Sequence, residues 1–264
     1  MTPILVLGAG RMGGALIKGW RKAGVFPSRD LIIREPYSNP LVEAEARAGA
    51  RVNPPDAVLG EAETVLLCVK PQVWRETAAQ VSDLLAADAV IVSVAAGVTS
   101  QALSAGFGGR RVARVMPTTA AAIGQGTASI HAADAQARAR AHALLDPVAT
   151  TADLDDEGLM HAATAVSGSA PAYLYAFIEA LEAGGVAAGL SPQVSADLAR
   201  STITGAAALL AAGSEDPAEL RRQVTSPGGT TQAALEVLMG DGGFPTLLRD
   251  AVAAAVRRSK ELGA

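Results

Sequence analysis

The chain contains little of what several protein classes require. Its one cysteine, Cys68, excludes an internal disulfide framework and a cysteine-based zinc site. Its three histidines do not have the spacing of shared metal ligands, so no metal site is predicted. Aromatic residues make up only 3% of the chain, which leaves few rings for stacking the bases of single-stranded nucleic acid.

Charge of either sign is also scarce. Charged residues account for 18% of the chain and the formal net charge is −4, so nucleic acid and anionic membranes are not expected as partners. The uncharged stretches 89–109 and 158–178 are interrupted by Ser, Thr and Gly, and neither is predicted to span a membrane. No basic segment of the kind found in signal peptides is seen, and a cytoplasmic protein is predicted.

Hydrophobic residues make up half of the 264-residue chain, enough for a large domain and a smaller second one. In the first half, aliphatic runs alternate with helix-like stretches. The runs are apolar on both faces, as in a parallel sheet that helices cover on both sides. The predicted strands are Ile4–Leu7, Leu31–Arg34, Thr64–Val69, Val90–Val94 and Val112–Met116.

From about residue 155 onward the hydrophobic periodicity is helical. The predicted helices cover 158–186, with an interruption at 167–171, and then 192–212, 217–224, 230–239 and 245–262. The fold class predicted from this change is α/β followed by all-α. Residues 1–157 are expected to form a Rossmann-type, doubly wound domain, and residues 158–264 an all-helical domain.

Residues 8–13 (GAGRMG) form a G-x-G-x-x-G motif directly between a strand and a helix. In this context the first glycine permits a tight turn, the second lets a pyrophosphate approach the backbone, and the third lets the helix pack on the strand. The helix N-terminus offers N–H groups and a positive dipole to the phosphates. The residues predicted to bind a dinucleotide here are Leu7, Gly8, Ala9, Gly10, Arg11, Met12 and Gly13.

The end of the second strand bears on the choice of coenzyme. A basic residue at this point suits the 2′-phosphate of NADP, whereas an acidic residue suits the free 2′-hydroxyl of NAD. The chain has both, as Arg34 followed by Glu35. Because Arg34 comes first, NADPH is the predicted coenzyme and Arg34 is a predicted contact, with NADH left open.

Two later strands also end in candidate coenzyme contacts. In an open α/β sheet, ligands lie at the carboxyl ends of the strands. The segment Val69, Lys70 and Pro71 follows one strand, and Ala95, Ala96 and Gly97 follow the next. The small residues of the second segment would let a nicotinamide lie close to the backbone. Lys70 is equally compatible with a surface position.

The second domain has few groups that could donate a proton. The chain has four lysines, and none lies between residues 158 and 245. Candidates there are His161, Tyr173 and Tyr175, of which His161 is interpreted as structural. Because reduction of a ketone usually needs a positioned acid, this scarcity favours hydride addition to a C=N bond that is already protonated.

A second glycine motif, at 226–231 (SPGGTT), precedes a predicted helix. Glycines at a helix start expose several backbone N–H groups, and the threonines add hydroxyl donors. The motif therefore predicts an anion site of a size suited to a carboxylate. Its residues are Ser226, Pro227, Gly228, Gly229, Thr230 and Thr231.

With this loop, the chain resembles the pyrroline-5-carboxylate reductase family. The stretch VTSPGGTT at 224–231 looks like the family's signature. Further matches follow in the family's order: GAGRMG at 8–13, VKPQ at 69–72, AAG at 95–97, RVMP at 114–117 and SGSAPAY at 167–173. The resemblance covers essentially the whole chain.

The resemblance implies an oxidoreductase that reduces L-1-pyrroline-5-carboxylate to L-proline with NAD(P)H, the last step of proline biosynthesis. It implies that the 226–231 loop holds the substrate carboxylate and that Thr231, near the ring nitrogen, is the catalytic residue. It also implies that the helical domains of two subunits interleave into a homodimer, and that five dimers can form a decamer.

The sequence departs from the family pattern in places. Thr118 stands where Asn is common, Ala120 where Pro is common, and Arg11 where Asn or Gln is common. The alternatives to the reductase are another imine reductase, a β-hydroxyacid dehydrogenase-like enzyme or a non-catalytic NADP-binding sensor. The dehydrogenase is expected to carry a lysine on the first long helix of its second domain, where this chain has none. The sensor has no need of a carboxylate loop.

Overall fold

The computed structural model describes residues Met1–Leu262, and within them the chain forms an eight-stranded sheet and eleven α-helices. The strands are β1 (Ile4–Leu7), β2 (Leu31–Arg34), β3 (Arg51–Val52), β4 (Thr64–Leu67), β5 (Val90–Ser93), β6 (Val112–Pro117), β7 (Gly126–His131) and β8 (Ala149–Asp153). They lie side by side in the order β3-β2-β1-β4-β5-β6-β7-β8.

The first six strands are parallel, and they have the order of a doubly wound dinucleotide-binding sheet. The strand β7 runs antiparallel to β6, and β8 is parallel to β7. The order in which the chain adds strands to the sheet switches sides between β1 and β4, which are parallel neighbours in the sheet but not consecutive in sequence. At such a point the connections diverge and leave a crevice at the carboxyl ends of the strands.

Helices cover both faces of the sheet. The helices of this part of the chain are α1 (Arg11–Ala23), α2 (Pro40–Arg47), α3 (Trp74–Val81), α4 (Ser100–Gly106), α5 (Ala135–Leu145) and α6 (Met160–Ala163). The central strands β1, β4 and β5 are buried along their whole length, which is why they read as uninterrupted aliphatic runs. Two apolar clusters form the core, one on each face.

The second half of the chain is helical, as the sequence predicts. Its helices are α7 (Ala170–Ala187), α8 (Pro192–Ala212), α9 (Pro217–Gln223), α10 (Thr230–Leu238) and α11 (Phe244–Glu261). The predicted interruption near residue 167 is a π-helical segment, Thr164–Gly168, followed by Pro171 in the first turn of α7. Ser191 caps α8, accepting the Val194 N–H through its hydroxyl.

By its contacts the chain divides into two compact units. The first comprises Met1–Gly168 and the C-terminal segment that begins at Ala255, and the second comprises Ser169–Ala254. None of the helices within residues 1–262 is long and apolar enough to cross a membrane. No cluster of metal-ligating side chains occurs in the same residues.

Candidate functional site

The candidate nucleotide site lies at the carboxyl ends of the central strands in the first unit. Backbone hydrogen bonds hold these ends in register: Gly8 N–H donates to Arg34 O at 2.9 Å, and Cys68 N–H donates to Leu7 O at 2.8 Å. One strand further, Val94 N–H donates to Leu67 O at 3.0 Å. The glycine-rich turn, the 69–71 segment and the 95–97 segment thus begin at one edge of the sheet.

The glycine-rich turn has the geometry that its spacing predicts. Gly8 has φ = +93°, in the left-handed region that disfavours a side chain. A Cβ at Gly13 would lie 2.1 Å from Gly8 O, whereas a Cβ at Gly10 would meet no described atom within 4 Å. No described side chain caps α1, so its first N–H groups remain available to an anion in the open space over Gly10.

The two candidate coenzyme-selecting residues have different partners. Glu35 is buried, and its carboxylate accepts Ala9 N–H at 2.8 Å and Tyr37 N–H at 3.0 Å. Arg34 is partly exposed and forms an ion pair with Asp56, from a 3₁₀ segment, Asp56–Glu61, that follows β3. Asp56 carries no motif in the sequence, so only the fold reveals its place beside Arg34.

A groove of about 740 Å³ lies beside the glycine-rich turn and the first turns of α1. Its lining residues come from the turn, α1, the start of α2 and the segment after β6: Ala9, Gly10, Arg11, Gly14, Ala15, Lys18, Asn39, Pro40, Leu41, Thr119 and Ala122. Arg11 and Lys18 are exposed and make the groove basic. Sequence reasoning missed Lys18, although its distance of seven residues from Arg11 places both on one helix face.

Cys68 and Lys70, which follow β4, differ in what they can contribute. Burial raises the pKa of the Cys68 thiol to about 12, so the thiol stays protonated at neutral pH and is a poor nucleophile. Lys70 is exposed, and within the described residues it has no salt-bridge partner. It is therefore available to a negatively charged ligand group.

The RVMP motif contributes a buried ion pair. Arg114 is buried and donates to Glu157 Oε1 at 2.8 Å, and Ser100 N–H donates to the same oxygen at 2.5 Å. Burial alone would raise the pKa of Glu157, but the Ser100 and Arg114 hydrogen bonds lower it overall. Thr118 accepts Thr127 N–H through its hydroxyl at 3.0 Å and joins the end of β6 to β7. These contacts are structural.

His161 also makes a structural contact. Its Nδ1 lies 2.9 Å from Ser259 Oγ in the same unit. Burial lowers the pKa of His161, and the positive charges of Arg114 and Lys260 lower it further. The ring is therefore neutral near pH 7.

The SPGGTT loop lies in the second unit, at the start of α10. Gly228 has φ = +70°, and Gly229 N–H donates to Ser226 O at 3.0 Å, which closes a tight turn before the helix. Among the described residues no side chain caps α10 at Gly229. The first-turn N–H groups, including that of Thr231, lack intrahelical partners and are therefore available to an anion.

Tyr173 and Tyr175 lie on α7 in the second unit. Tyr175 is 63% exposed. The hydroxyl of Tyr173 is buried and has no hydrogen-bond partner within residues 1–262. Because the two residues are two positions apart on the helix, they project in different directions.

Two family profiles match the chain. Residues 157–262 match the pyrroline-5-carboxylate reductase dimerisation family, and residues 3–97 match a family described as NADP oxidoreductase coenzyme F420-dependent. The first match coincides with the predicted helical region and contains the SPGGTT loop. The second contains the glycine-rich turn and the AAG segment.

Curated relatives match the chain from end to end. The pyrroline-5-carboxylate reductase of Pisum sativum is 37% identical over 97% of this chain and 94% of its own length. That of Pseudomonas aeruginosa is also 37% identical, over 99% and 97%.

Solved structures show the same fold. A pyrroline-5-carboxylate reductase from Coxiella burnetii superposes with a TM-score of 0.89 at 27% identity, covering 100% of this chain and 99% of that one. A Plasmodium falciparum pyrroline carboxylate reductase, solved with NADP bound, superposes at 0.86 and 24% identity over 100% and 98% of the two chains.

Proposed function

The chain belongs to the pyrroline-5-carboxylate reductase family, and we propose that it reduces L-1-pyrroline-5-carboxylate to L-proline with NADPH, as the last step of proline biosynthesis. The observation that carries the proposal is the presence of two uncapped helix N-termini, those of α1 and α10. The first follows a dinucleotide-binding turn and the second follows the SPGGTT loop. In this proposal the first binds the coenzyme pyrophosphate and the second binds the substrate carboxylate.

The first unit has a suitable surface for the coenzyme. The backbone over Gly10 is open, the N–H groups of α1 are uncapped, and Arg11 is exposed beside them. In this proposal residues 7–13 and Arg34 hold the pyrophosphate and the adenosine end. The segments 69–71 and 95–97 line the nicotinamide end. Bound NADPH supplies the hydride.

The SPGGTT loop would bind and orient the substrate. A carboxylate at the start of α10 would accept N–H groups of its first turn and benefit from the helix dipole. Thr231 would accept the N–H of the protonated ring nitrogen through its hydroxyl oxygen. The substrate is a cyclic imine that protonates readily, and its iminium form accepts hydride without a strong acid from the protein. The protein then contributes mainly orientation and carboxylate binding.

Membership of a family with a dimerisation domain supports a proposal for the assembly. We infer a homodimer in which the helical regions of two subunits interleave, with a decamer of five dimers as the larger assembly. The functional division is a coenzyme domain at 1–157 and a substrate and dimerisation domain at 158–264. The location is the cytoplasm.

The test is NADPH oxidation at 340 nm with DL-1-pyrroline-5-carboxylate, with NADH run in parallel and proline formation measured. Rapid oxidation with stoichiometric proline is expected. Protein that binds NADPH but oxidises neither nucleotide would contradict the proposal. A nucleotide sensor would also show no protection by proline in thermal unfolding with NADP present, whereas a reductase should show it.

A further inference from the structure

At the end of β2, Arg34 has two acidic residues near it, Glu35 and Asp56. The fold pairs Arg34 with Asp56, which is the more distant of the two in sequence. Glu35 directly follows Arg34, but each of its carboxylate oxygens already accepts a backbone N–H, from Ala9 and from Tyr37. Arg34 instead donates through one Nη to Asp56, which is 22 residues further along the chain. The positive charge of Arg34 is therefore paired with the carboxylate of Asp56.

The segment that precedes Asp56 is anchored to the end of β2 by hydrogen bonds of Asn53. Asn53 Nδ2 donates to Glu35 O at 2.9 Å, and Glu35 N–H donates to Asn53 Oδ1 at 3.0 Å. Asn53 N–H also donates to Ile33 O at 2.8 Å. Two prolines follow, and Asp56 then begins its 3₁₀ segment. The carboxylate is thus placed opposite the end of β2 by the backbone.

We propose that Asp56 is a specificity-determining residue, because it competes with the coenzyme's 2′-phosphate for Arg34. The inference rests on the proposed function, in which the adenosine end of NADPH lies at the end of β2. NADPH binding then exchanges the Arg34–Asp56 pair for an Arg34–phosphate pair. NADH, which has no 2′-phosphate, leaves the pair intact.

The pair is suited to such an exchange. Asp56 is 68% exposed and the Arg34 side chain 31%, so water screens their attraction. Within the described residues the guanidinium donates to Asp56 through one Nη only, which leaves its other Nη for a phosphate oxygen. A phosphate carries more charge than a carboxylate and accepts two parallel guanidinium hydrogen bonds.

The experiment measures the dissociation constants of NADPH and NADH by isothermal titration calorimetry, without substrate. Asp56→Asn should tighten NADPH about two- to five-fold, the range that corresponds to an exposed ion pair, and leave NADH unchanged. Arg34→Gln should weaken NADPH about ten-fold or more and change NADH little. Thermal unfolding of each variant checks that the fold is retained.

A double-mutant cycle tests whether Asp56 acts through Arg34. In the Arg34→Gln background, Asp56→Asn should no longer tighten NADPH. An equal gain in both backgrounds would mean that Asp56 repels the phosphate directly, and it would overturn the proposal.

The matched control is Glu61→Gln. Glu61 lies on the same 3₁₀ segment as Asp56 and pairs with Arg51 of β3 at a similar exposure. This variant should change neither dissociation constant, and a gain in NADPH affinity equal to that of Asp56→Asn would contradict the proposal. Wild-type protein that binds neither nucleotide would overturn the proposed function and this inference together. Wild-type binding with no effect of Asp56→Asn would overturn this inference alone.

Discussion

Among single residues, Gly13 has the tightest surroundings in the glycine-rich turn. A Cβ there would overlap the carbonyl oxygen of Gly8, which is backbone and cannot move aside. Gly10 differs, because its Cβ would point into space free of described atoms. The two glycines therefore have separable roles, Gly13 in packing α1 on β1 and Gly10 in leaving room for a ligand.

We expect Gly13→Ala to lower the melting temperature by about 2–12 °C, because overpacking costs about 1–3 kcal/mol and a protein of this size loses about 2–4 °C per kcal/mol. Gly10→Ala should keep the wild-type melting temperature and lose NADPH affinity. Differential scanning calorimetry and NADPH titration distinguish the two. A Gly13→Ala variant with wild-type stability and affinity would show that the turn can relax.

Thr231 is the proposed hydrogen-bond partner of the substrate nitrogen. Removing one such bond should lower kcat/KM about ten-fold and leave measurable turnover, because hydride transfer does not depend on a strong acid from the protein. The control is Thr225→Ala, since the Thr225 hydroxyl already donates to Arg221 O at 2.6 Å. An unchanged kcat/KM in Thr231→Ala would remove Thr231 from the catalytic role.

At the scale of elements, a histidine joins α5 to the edge strand β8. His142 Nδ1 lies 3.0 Å from Asp146 Oδ1, and Nε2 lies 3.2 Å from Asp153 Oδ1. The Asp146 hydrogen bond raises the pKa of His142, burial partly opposes this, and Asp153 raises it further. Because both ring nitrogens face carboxylates, the contact is strongest when the ring is protonated.

This contact should make stability depend on pH. The pKa of His142 is raised by folding, so its contribution is complete below the unfolded value of about 6.5 and is lost as pH rises through the folded value. We expect His142→Gln to destabilise the protein at pH 5–6 by about 1 kcal/mol or less, and to have little effect above pH 8. Urea unfolding from pH 5 to 9 measures the difference.

His161→Gln provides a comparison in which the dependence of stability on pH has the opposite sign. The pKa of His161 is lowered by folding, so its contribution is present above about pH 6.5 and is lost as pH falls. A pH-independent effect of His142→Gln would rule out its charged pairing with the two aspartates.

The elements differ in how far sequence predicts them. The strands β1 and β2 have the predicted bounds, and β4, β5 and β6 lie within one or two residues of theirs. The strands β7 and β8 were not predicted, because their short runs are rich in Ala, Ser and Thr. The antiparallel pairing of β7 with β6 is a tertiary contact that no local periodicity encodes.

At the scale of the whole molecule, the second unit exposes many large apolar side chains. They include Leu174, Tyr175, Leu198, Leu209, Leu210 and Val237. In water, apolar surface of this extent is favourably buried against another protein surface. A homodimer formed through α7, α8 and α10 would bury it.

We expect size-exclusion chromatography with light scattering to show at least a dimer that persists on dilution. Leu209→Arg, on a side chain that is 69% exposed, should weaken the assembly. Ile123→Arg makes the same change at an exposed position of the first unit and should leave the assembly intact. A wild-type monomer at micromolar concentration would contradict the proposed assembly.

The sequence by itself determined the features that depend on neighbouring residues. Aliphatic runs predicted the central strands, the spacing of Gly8, Gly10 and Gly13 predicted the turn, and the SPGGTT motif preceded a predicted helix that starts, as expected, at Thr230. The full-length relatives confirm the family that these motifs indicate. Such features are local, because hydrophobic periodicity and backbone freedom act within a few residues.

Only the tertiary structure decided which distant groups meet. It paired Arg34 with Asp56 and turned Glu35 to the Ala9 N–H. It also brought Asp153 to His142. The physical reason is that a charged side chain pairs with a group that lies within hydrogen-bonding distance. The order of the strands and the paths of the loops decide which group that is, and it can be far away along the chain.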